Sequence, residues 1–212
     1  MHVYRSVLVA LLAVAPLAAR AQETSTASVH SRKPPVAEAV RRTGPITLDG
    51  KLDDAAWDAA KPITHFTQST PHDGAEPTQR TEIRILYDDQ ALYIGARVYD
   101  SLGAKGIRAP LARRDQLLDG NGNNGAFNSL TTDKIAVVLD PYHNHIDDAR
   151  FEVNPAGVKG DEFDGDPSWD PIWEAATHVD ALGWTAEMRI PYSQLRFSRD
   201  SVQTWGLEIW RY

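Results

Sequence analysis

The sequence predicts an all-β protein, a two-sheet antiparallel β-sandwich with one short N-terminal helix. Apolar and polar residues alternate with a period of two in several short segments, which is the pattern of strands that bury one face. Short turns containing Asp or Gly separate many of these segments, as they do in sandwiches. An open sheet with helices on one side is disfavoured, because no second strong helical period occurs in the sequence.

The short helix is predicted at residues 52–60. Its apolar residues fall on one side, and Asp53 and Asp54 lie in the first turn, where the helix dipole favours acidic side chains. Trp57 is expected to fill the core at this point. A short strand at residues 46–48 is expected to precede the helix.

The clearest strands form an antiparallel hairpin. Ile83 and Ile85 alternate with charged residues in residues 81–87, residues 91–99 alternate in the same way, and Asp88-Asp89-Gln90 supplies the turn between them. Further strands are predicted at residues 133–140, 150–154, 172–179, 184–190 and 203–212. Residues 161–171 are predicted to form an acidic loop, and residues 192–195 a single helical turn.

Before the sandwich, the N-terminal residues have the composition of an export signal. Arg5 precedes an apolar run at residues 7–17, and Ala19 and Ala21 are small residues at the positions that a signal peptidase requires. We therefore predict a signal peptide at residues 1–21, a disordered linker at residues 22–36 and the sandwich at residues 37–212.

Charge and cysteine content exclude several classes of function. The chain has 22 basic and 29 acidic residues and a net charge of −7, so phosphate backbones are repelled and nucleic acid is not an expected partner. The sequence has no cysteine, which excludes disulfides, a thiolate zinc site and a cysteine nucleophile.

Several blocks of sequence resemble family 9 carbohydrate-binding modules. Residues 46–57, ITLDGKLDDAAW, resemble the opening signature of the family. Residues 86–94 are similar to the first hairpin of the family, residues 132–140 to its third strand and residues 151–154 to its fourth. The resemblance spans residues 40–212 and implies a sandwich fold and glycan binding without catalysis.

Two blocks near the C-terminal end resemble a subgroup of these modules. They are residues 168–176, SWDPIWEAA, and residues 183–197, GWTAEMRIPYSQLRF. Proteins of this subgroup carry the module before a predicted outer-membrane β-barrel of unknown function. The resemblance implies that this chain is truncated before a C-terminal barrel partner. It also implies a location in the periplasm or at the outer membrane and surface of a Gram-negative-type bacterium.

The resemblance also identifies candidate ligand residues. Family modules clamp a sugar between two tryptophans, and the position of the first is Leu130 here. Glu152 stands where the family has an arginine, Ala136 where it has an acidic residue, and Asn154 matches the family. The carbohydrate-binding candidates from these family positions are Asn154 and Glu152. Trp169, which lies in a loop, and Trp210, which alternates away from Trp205, are added as surface tryptophans that could stack on a ligand. The remaining tryptophans, Trp57, Trp173, Trp184 and Trp205, are expected in the core.

Calcium is a further expected ligand. Asp161, Asp164 and Asp166 concentrate carboxylate oxygens in the predicted acidic loop, and Asp100 and Asp115 border the long connection between residues 101 and 132. A solvated acidic loop that binds no ion explains the same pattern.

No pattern indicates catalysis. A glycosidase needs two carboxylates across a cleft, and no spacing selects a pair from the candidates Glu152, Asp161, Glu174 and Glu187. Glu187 alternates with Thr185 and Arg189, as expected for a solvated face.

The sequence therefore predicts a non-catalytic glycan-recognition domain of an exported envelope protein, linked to carbohydrate catabolism. One alternative is an interaction or plug domain of an outer-membrane barrel that binds no sugar. A glycoside hydrolase is the third hypothesis.

Overall fold

A computed structural model describes residues 35–116 and 132–212 of the chain. All strands and helical segments described below lie in one compact unit, Ala37–Tyr212. Nine strands occur in these residues. They are β1 (Val40–Arg41), β2 (Thr81–Tyr87), β3 (Ala91–Tyr99), β4 (Ile135–Asp140), β5 (Ala149–Val153), β6 (Lys159–Phe163), β7 (Glu174–Asp180), β8 (Gly183–Pro191) and β9 (Gly206–Arg211).

The strands form two sheets, which confirms the predicted sandwich. The five-stranded sheet has the order β1-β2-β3-β8-β7, and the four-stranded sheet has the order β6-β5-β4-β9. All neighbouring strands are antiparallel except β1 and β2, which are parallel over two residues. The predicted hairpin of residues 81–87 and 91–99 is confirmed with the same bounds.

The main core lies between the sheets, where the inward-facing residues of the alternating strands meet. The largest fully buried side chains there include Ile94, Met188, Ile135 and Phe151. Trp173 and Trp184 are buried in this core as predicted, whereas Trp205 is only half-buried against it.

A second, smaller core lies on the outer face of the five-stranded sheet. Trp57 is buried there against Leu86 and Tyr93, so the expected burial of Trp57 is confirmed. The predicted N-terminal helix is a single 3-10 segment, Ala55–Ala59. Gly95 on β3 permits this packing, because a Cβ at residue 95 would lie 2.7 Å from Leu52 Cδ2.

Three local predictions are wrong. Residues 46–48 form no strand, and β1 lies earlier at Val40–Arg41. Residues 161–163 belong to β6 and not to an acidic loop. Glu187 is fully buried and not on a solvated face, because the N-terminal segment covers this part of the sheet.

The predicted helical turn after β8 is a 3-10 segment at Tyr192–Gln194. Within residues 35–116 and 132–212, no helix is long and apolar enough to cross a membrane.

Candidate functional site

The outer face of the four-stranded sheet brings together three of the positions that the sequence singled out. The strand register places Trp210 of β9 beside Ala136 of β4, Ala136 beside Glu152 of β5, and Glu152 beside Gly160 of β6. These four residues therefore form one row across the sheet. Because neighbouring strands are about 4.8 Å apart, the backbones at Trp210 and Glu152 are separated by roughly 10 Å.

Trp210 is the exposed aromatic residue of this face. It is 39% exposed, and its Nε1 donates a hydrogen bond to Glu208 Oε2 at 3.1 Å. Ala136, its neighbour on β4, is small and fully buried, so the position directly beside the indole carries no large side chain. Alternation along β9 explains the arrangement, since Leu207 and Ile209 point to the core and Glu208 and Trp210 point away from it.

Next to Trp210 lies a network of paired charges. Glu152 is fully buried between Lys134, whose Nζ lies 3.0 Å from Oε2, and Arg150, whose Nη2 lies 2.5 Å from Oε1. Arg150 also contacts Glu162 at 3.4 Å and donates to the Tyr212 hydroxyl at 3.1 Å. Burial opposes the charge of Arg150, but Glu152, Tyr212 and Glu162 favour it and raise its pKa.

Tyr212 completes the network on the β9 side. Its ring lies 4.4 Å from Lys134 Nζ, a cation–π contact. Sequence reasoning missed Lys134, Arg150 and Tyr212 as members of this face. The sequence carried a signal for Arg150. Arg150 and Glu152 alternate with the buried Ala149, Phe151 and Val153 on β5, which predicts that both lie on the outer face.

Asn154 lies at the end of β5 and is fully buried. Its Oδ1 accepts hydrogen bonds from the backbone N–H groups of Ala156 and Val158, both at 3.0 Å, and its Nδ2 donates to Pro110 O at 2.9 Å. These bonds use the polar atoms of the side chain to shape the turn after β5. A ligand-binding role for Asn154 stays a prediction.

Trp169 does not share this face. It is half-buried, and its ring packs against Phe151 and Phe163 with centroid separations of 5.6 and 5.7 Å. Both phenylalanines belong to the main core or pack on it. The contacts of Trp169 are therefore those of a packing residue at the edge of the core.

Two of the calcium candidates, Asp115 and Asp161, lie together beside β6. Asp161 is fully buried and accepts hydrogen bonds from Arg114 Nη2 at 2.7 Å and from Trp173 Nε1 at 2.9 Å. Asp115 Oδ1 accepts from the backbone N–H of Asp161 at 3.0 Å, and burial raises the pKa of Asp115. A guanidinium therefore already neutralises the buried carboxylate.

The other three calcium candidates lie elsewhere. Asp164 and Asp166 are exposed in the turn after β6, and Asp100 caps the turn after β3 by accepting from Leu102 N at 2.7 Å. Within the described parts of the chain, no three carboxylate or imidazole groups are placed to hold a metal ion. Leu130, the position of the first clamp tryptophan, lies outside the described residues. Calcium binding stays a prediction.

Comparison with known proteins identifies the family. A family model described as carbohydrate family 9 binding domain-like matches residues 48–211, and the chain belongs to this family. Domains of this family are non-catalytic binding modules, which confirms the prediction that the chain is not an enzyme. No curated protein matches the sequence.

Solved structures show the same fold. A family 9 carbohydrate-binding module from Caldicellulosiruptor kristjanssonii in complex with cellotriose has a TM-score of 0.53 and 22% identity, over 81% of this chain and 73% of that chain. The glucose complex of a family 9 module from that organism has a TM-score of 0.52 and 20% identity, over 82% and 76%. A putative carbohydrate-binding protein from Bacteroides uniformis has a TM-score of 0.53 and 14% identity, over 82% and 81%.

Proposed function

We propose that this domain binds carbohydrate on the outer face of its four-stranded sheet, with Trp210 as the stacking surface. Membership of the family supports a sugar ligand, and the similar Caldicellulosiruptor modules were solved with cellotriose and with glucose. The observation that carries the proposed position is the 39% exposed indole of Trp210 beside the small residue Ala136.

The chemistry of this face suits a neutral sugar. A pyranose ring has an apolar C–H face that packs on an aromatic ring, and its hydroxyls need hydrogen-bonding partners in fixed positions. Glu208 holds the indole through Nε1, and Arg150 is held by Glu152 and Glu162. Side chains that are already fixed lose little conformational entropy when a ligand binds.

Replacement of Trp210 by alanine should remove the stacking surface. We expect Trp210→Ala to weaken binding of cellotriose or glucose at least tenfold, which corresponds to about 1.4 kcal/mol of binding free energy. Isothermal titration calorimetry of the purified protein measures this change.

Tyr142→Ala is the matched control, because Tyr142 is an aromatic residue that is 49% exposed in the turn after β4, away from the proposed face. Its binding constant should equal that of the wild type. Equal losses in both variants, or no loss in Trp210→Ala, would place the sugar elsewhere. Absence of binding to any glycan by folded wild-type protein would favour an interaction domain that binds no sugar.

We also propose that the domain acts at the cell envelope, in carbohydrate catabolism. The proposal is supported by the signal-like residues 1–21, and the resemblance of residues 183–197 suggests an outer-membrane barrel as the partner. N-terminal sequencing of the protein from fractionated cells should find Gln22 as the first residue, in the envelope fraction. Retention of Met1 in the cytoplasmic fraction would contradict export.

A further inference from the structure

A polar groove lies on the outer face of the five-stranded sheet, on the opposite side of the sandwich from Trp210. It has a volume of about 400 Å³ and begins where the N-terminal segment stops covering the sheet. The strand register places Glu82, Arg97, Thr185 and His178 in one row across its floor. Leu52 lines the groove on the N-terminal segment, and Leu182, which is 59% exposed, lines it at the β7–β8 turn.

Most charged groups on the floor of this groove are paired. Arg97 donates to Asp180 through both terminal nitrogens, at 2.6 and 2.8 Å. Glu82 accepts from Arg80 and, at 3.4 Å, from the Tyr99 hydroxyl. These pairs fix the floor and leave little unbalanced charge on it.

Arg84 is paired less closely. Its Nη1 forms an ion pair with Glu82 Oε2 at 3.6 Å, which is too long for a hydrogen bond, and Glu82 is shared with Arg80. Among the described residues, none accepts a hydrogen bond from the guanidinium of Arg84. Its Nε is shielded from solvent and has no acceptor among the described residues. The side chain is 24% exposed and lines the groove, so a ligand can reach the guanidinium. The guanidinium therefore shares one carboxylate with Arg80, and its accessible nitrogens can donate hydrogen bonds to an anionic ligand.

We propose that this groove is a second binding site and that it takes a sugar bearing one carboxylate, a hexuronate. The planar guanidinium of Arg84 matches the geometry of a carboxylate. Leu52 and Leu182 supply apolar surface for the C–H groups of the sugar ring. Glu82 and Asp180 lie close by, so a ligand with several negative charges is disfavoured. The choice of a sugar rests on the proposed function, whereas the carboxylate rests on Arg84.

Titration with glucuronate tests this site. The purified protein should bind glucuronate, and Arg84→Gln should weaken that binding at least tenfold. Arg189→Gln is the matched control, because it removes the same charge from the same sheet face, where Arg189 pairs with Glu174 outside the groove. Both Arg189→Gln and Trp210→Ala should bind glucuronate like the wild type. Amide chemical shifts in the wild type should change most around Arg84, Arg97 and Thr185, which keeps the test valid if Arg84→Gln does not fold.

Several results would overturn the proposal. They are absence of glucuronate binding by folded protein, unchanged binding in Arg84→Gln, and loss of glucuronate binding in Trp210→Ala with shifts centred on Trp210. Acetate binding as tight as glucuronate would show a general anion site and not a sugar site. A cellotriose titration of the same sample tests the two sites separately. Absence of cellotriose binding would contradict the proposed site around Trp210 and would leave the proposed site at Arg84 unaffected.

Discussion

At the scale of single residues, Glu187 explains how the N-terminal segment is fixed to the sheet. This buried carboxylate accepts hydrogen bonds from Trp57 Nε1 at 3.0 Å, from Asp49 N at 3.0 Å and from Gly50 N at 2.8 Å. Burial raises the pKa of Glu187. Gly50 has a φ of +84°, and a Cβ there would lie 2.4 Å from the carbonyl carbon of Thr177. The Asp-Gly turn and the tryptophan of the opening signature therefore meet at one carboxylate.

Replacing Glu187 by glutamine should lower the free energy of unfolding by about 1–3 kcal/mol, because an amide N–H₂ would face an N–H donor and leave it unsatisfied. Trp57→Phe removes one of those donors. Trp57→Phe should therefore cost less in the Glu187→Gln background than in the wild type, as measured by urea denaturation in a double-mutant cycle. Additive effects of the two changes would show that the hydrogen bond contributes nothing specific.

At the scale of an element, the β2–β3 hairpin is fixed by Asp88 in its turn. Asp88 Oδ1 accepts from the backbone N–H groups of Gln90 and Ala91, and Oδ2 accepts from Arg42 and from the Tyr93 hydroxyl. Burial alone would raise the pKa of Asp88, but these hydrogen bonds outweigh it and lower the pKa from 3.8 to about 2. The hairpin is thus stabilised by the ionised carboxylate.

Asp88→Asn should lower the free energy of unfolding at pH 7 by about 2 kcal/mol. This is the free energy that corresponds to the lowering of the Asp88 pKa, at about 1.4 kcal/mol for each pKa unit. A lowered pKa means that the unfolded state binds the proton more tightly. The stabilisation is therefore complete above pH 3.8 and is lost as the pH falls through 2. Urea denaturation at several pH values should show the difference between wild type and variant narrowing between pH 5 and pH 2.

The neighbouring Asp89 provides the control for this hairpin. Its side chain is 82% exposed, and among the described residues its ion-pair partner is Arg41. Asp89→Asn should leave stability unchanged, because exposed ion pairs contribute little. A loss equal to that of Asp88→Asn would show that turn charge in general, and not the buried acceptor, stabilises the hairpin.

At the scale of the whole molecule, a cross-sheet contact positions the strand that carries Trp210. Arg211 of β9 points between the sheets and donates to Arg80 O at 2.8 Å, Thr81 Oγ1 at 3.0 Å and Tyr99 O at 2.6 Å. These acceptors lie on or beside β2 and β3 of the five-stranded sheet. The outer faces of the two sheets thus belong to one packed body but point in opposite directions, so the two proposed sites do not share side chains.

The hairpin of β2 and β3 was predictable to the residue, because alternation over seven and nine residues is a local signal. β6 was not predictable in this way. Its inward-facing Asp161 has the character of a loop residue, and only the fold shows that Arg114, 47 residues earlier, and Trp173, 12 residues later, donate hydrogen bonds to it. The prediction of a solvated face for Glu187 was wrong because its hydrogen-bond partners lie 130 or more residues away.

By itself, the sequence determined that the chain is a two-sheet sandwich, which side of most strands faces the core, and which family the domain resembles. These properties follow from local periodicity and from short blocks of sequence. Only the tertiary structure decided that Trp210, Ala136 and Glu152 form one row and that Trp169 packs elsewhere. It also decided that Arg84 has no hydrogen-bond acceptor among the described residues. The physical reason is that alternation sets the face of each residue, whereas its neighbours depend on strand order and register, which long-range packing decides.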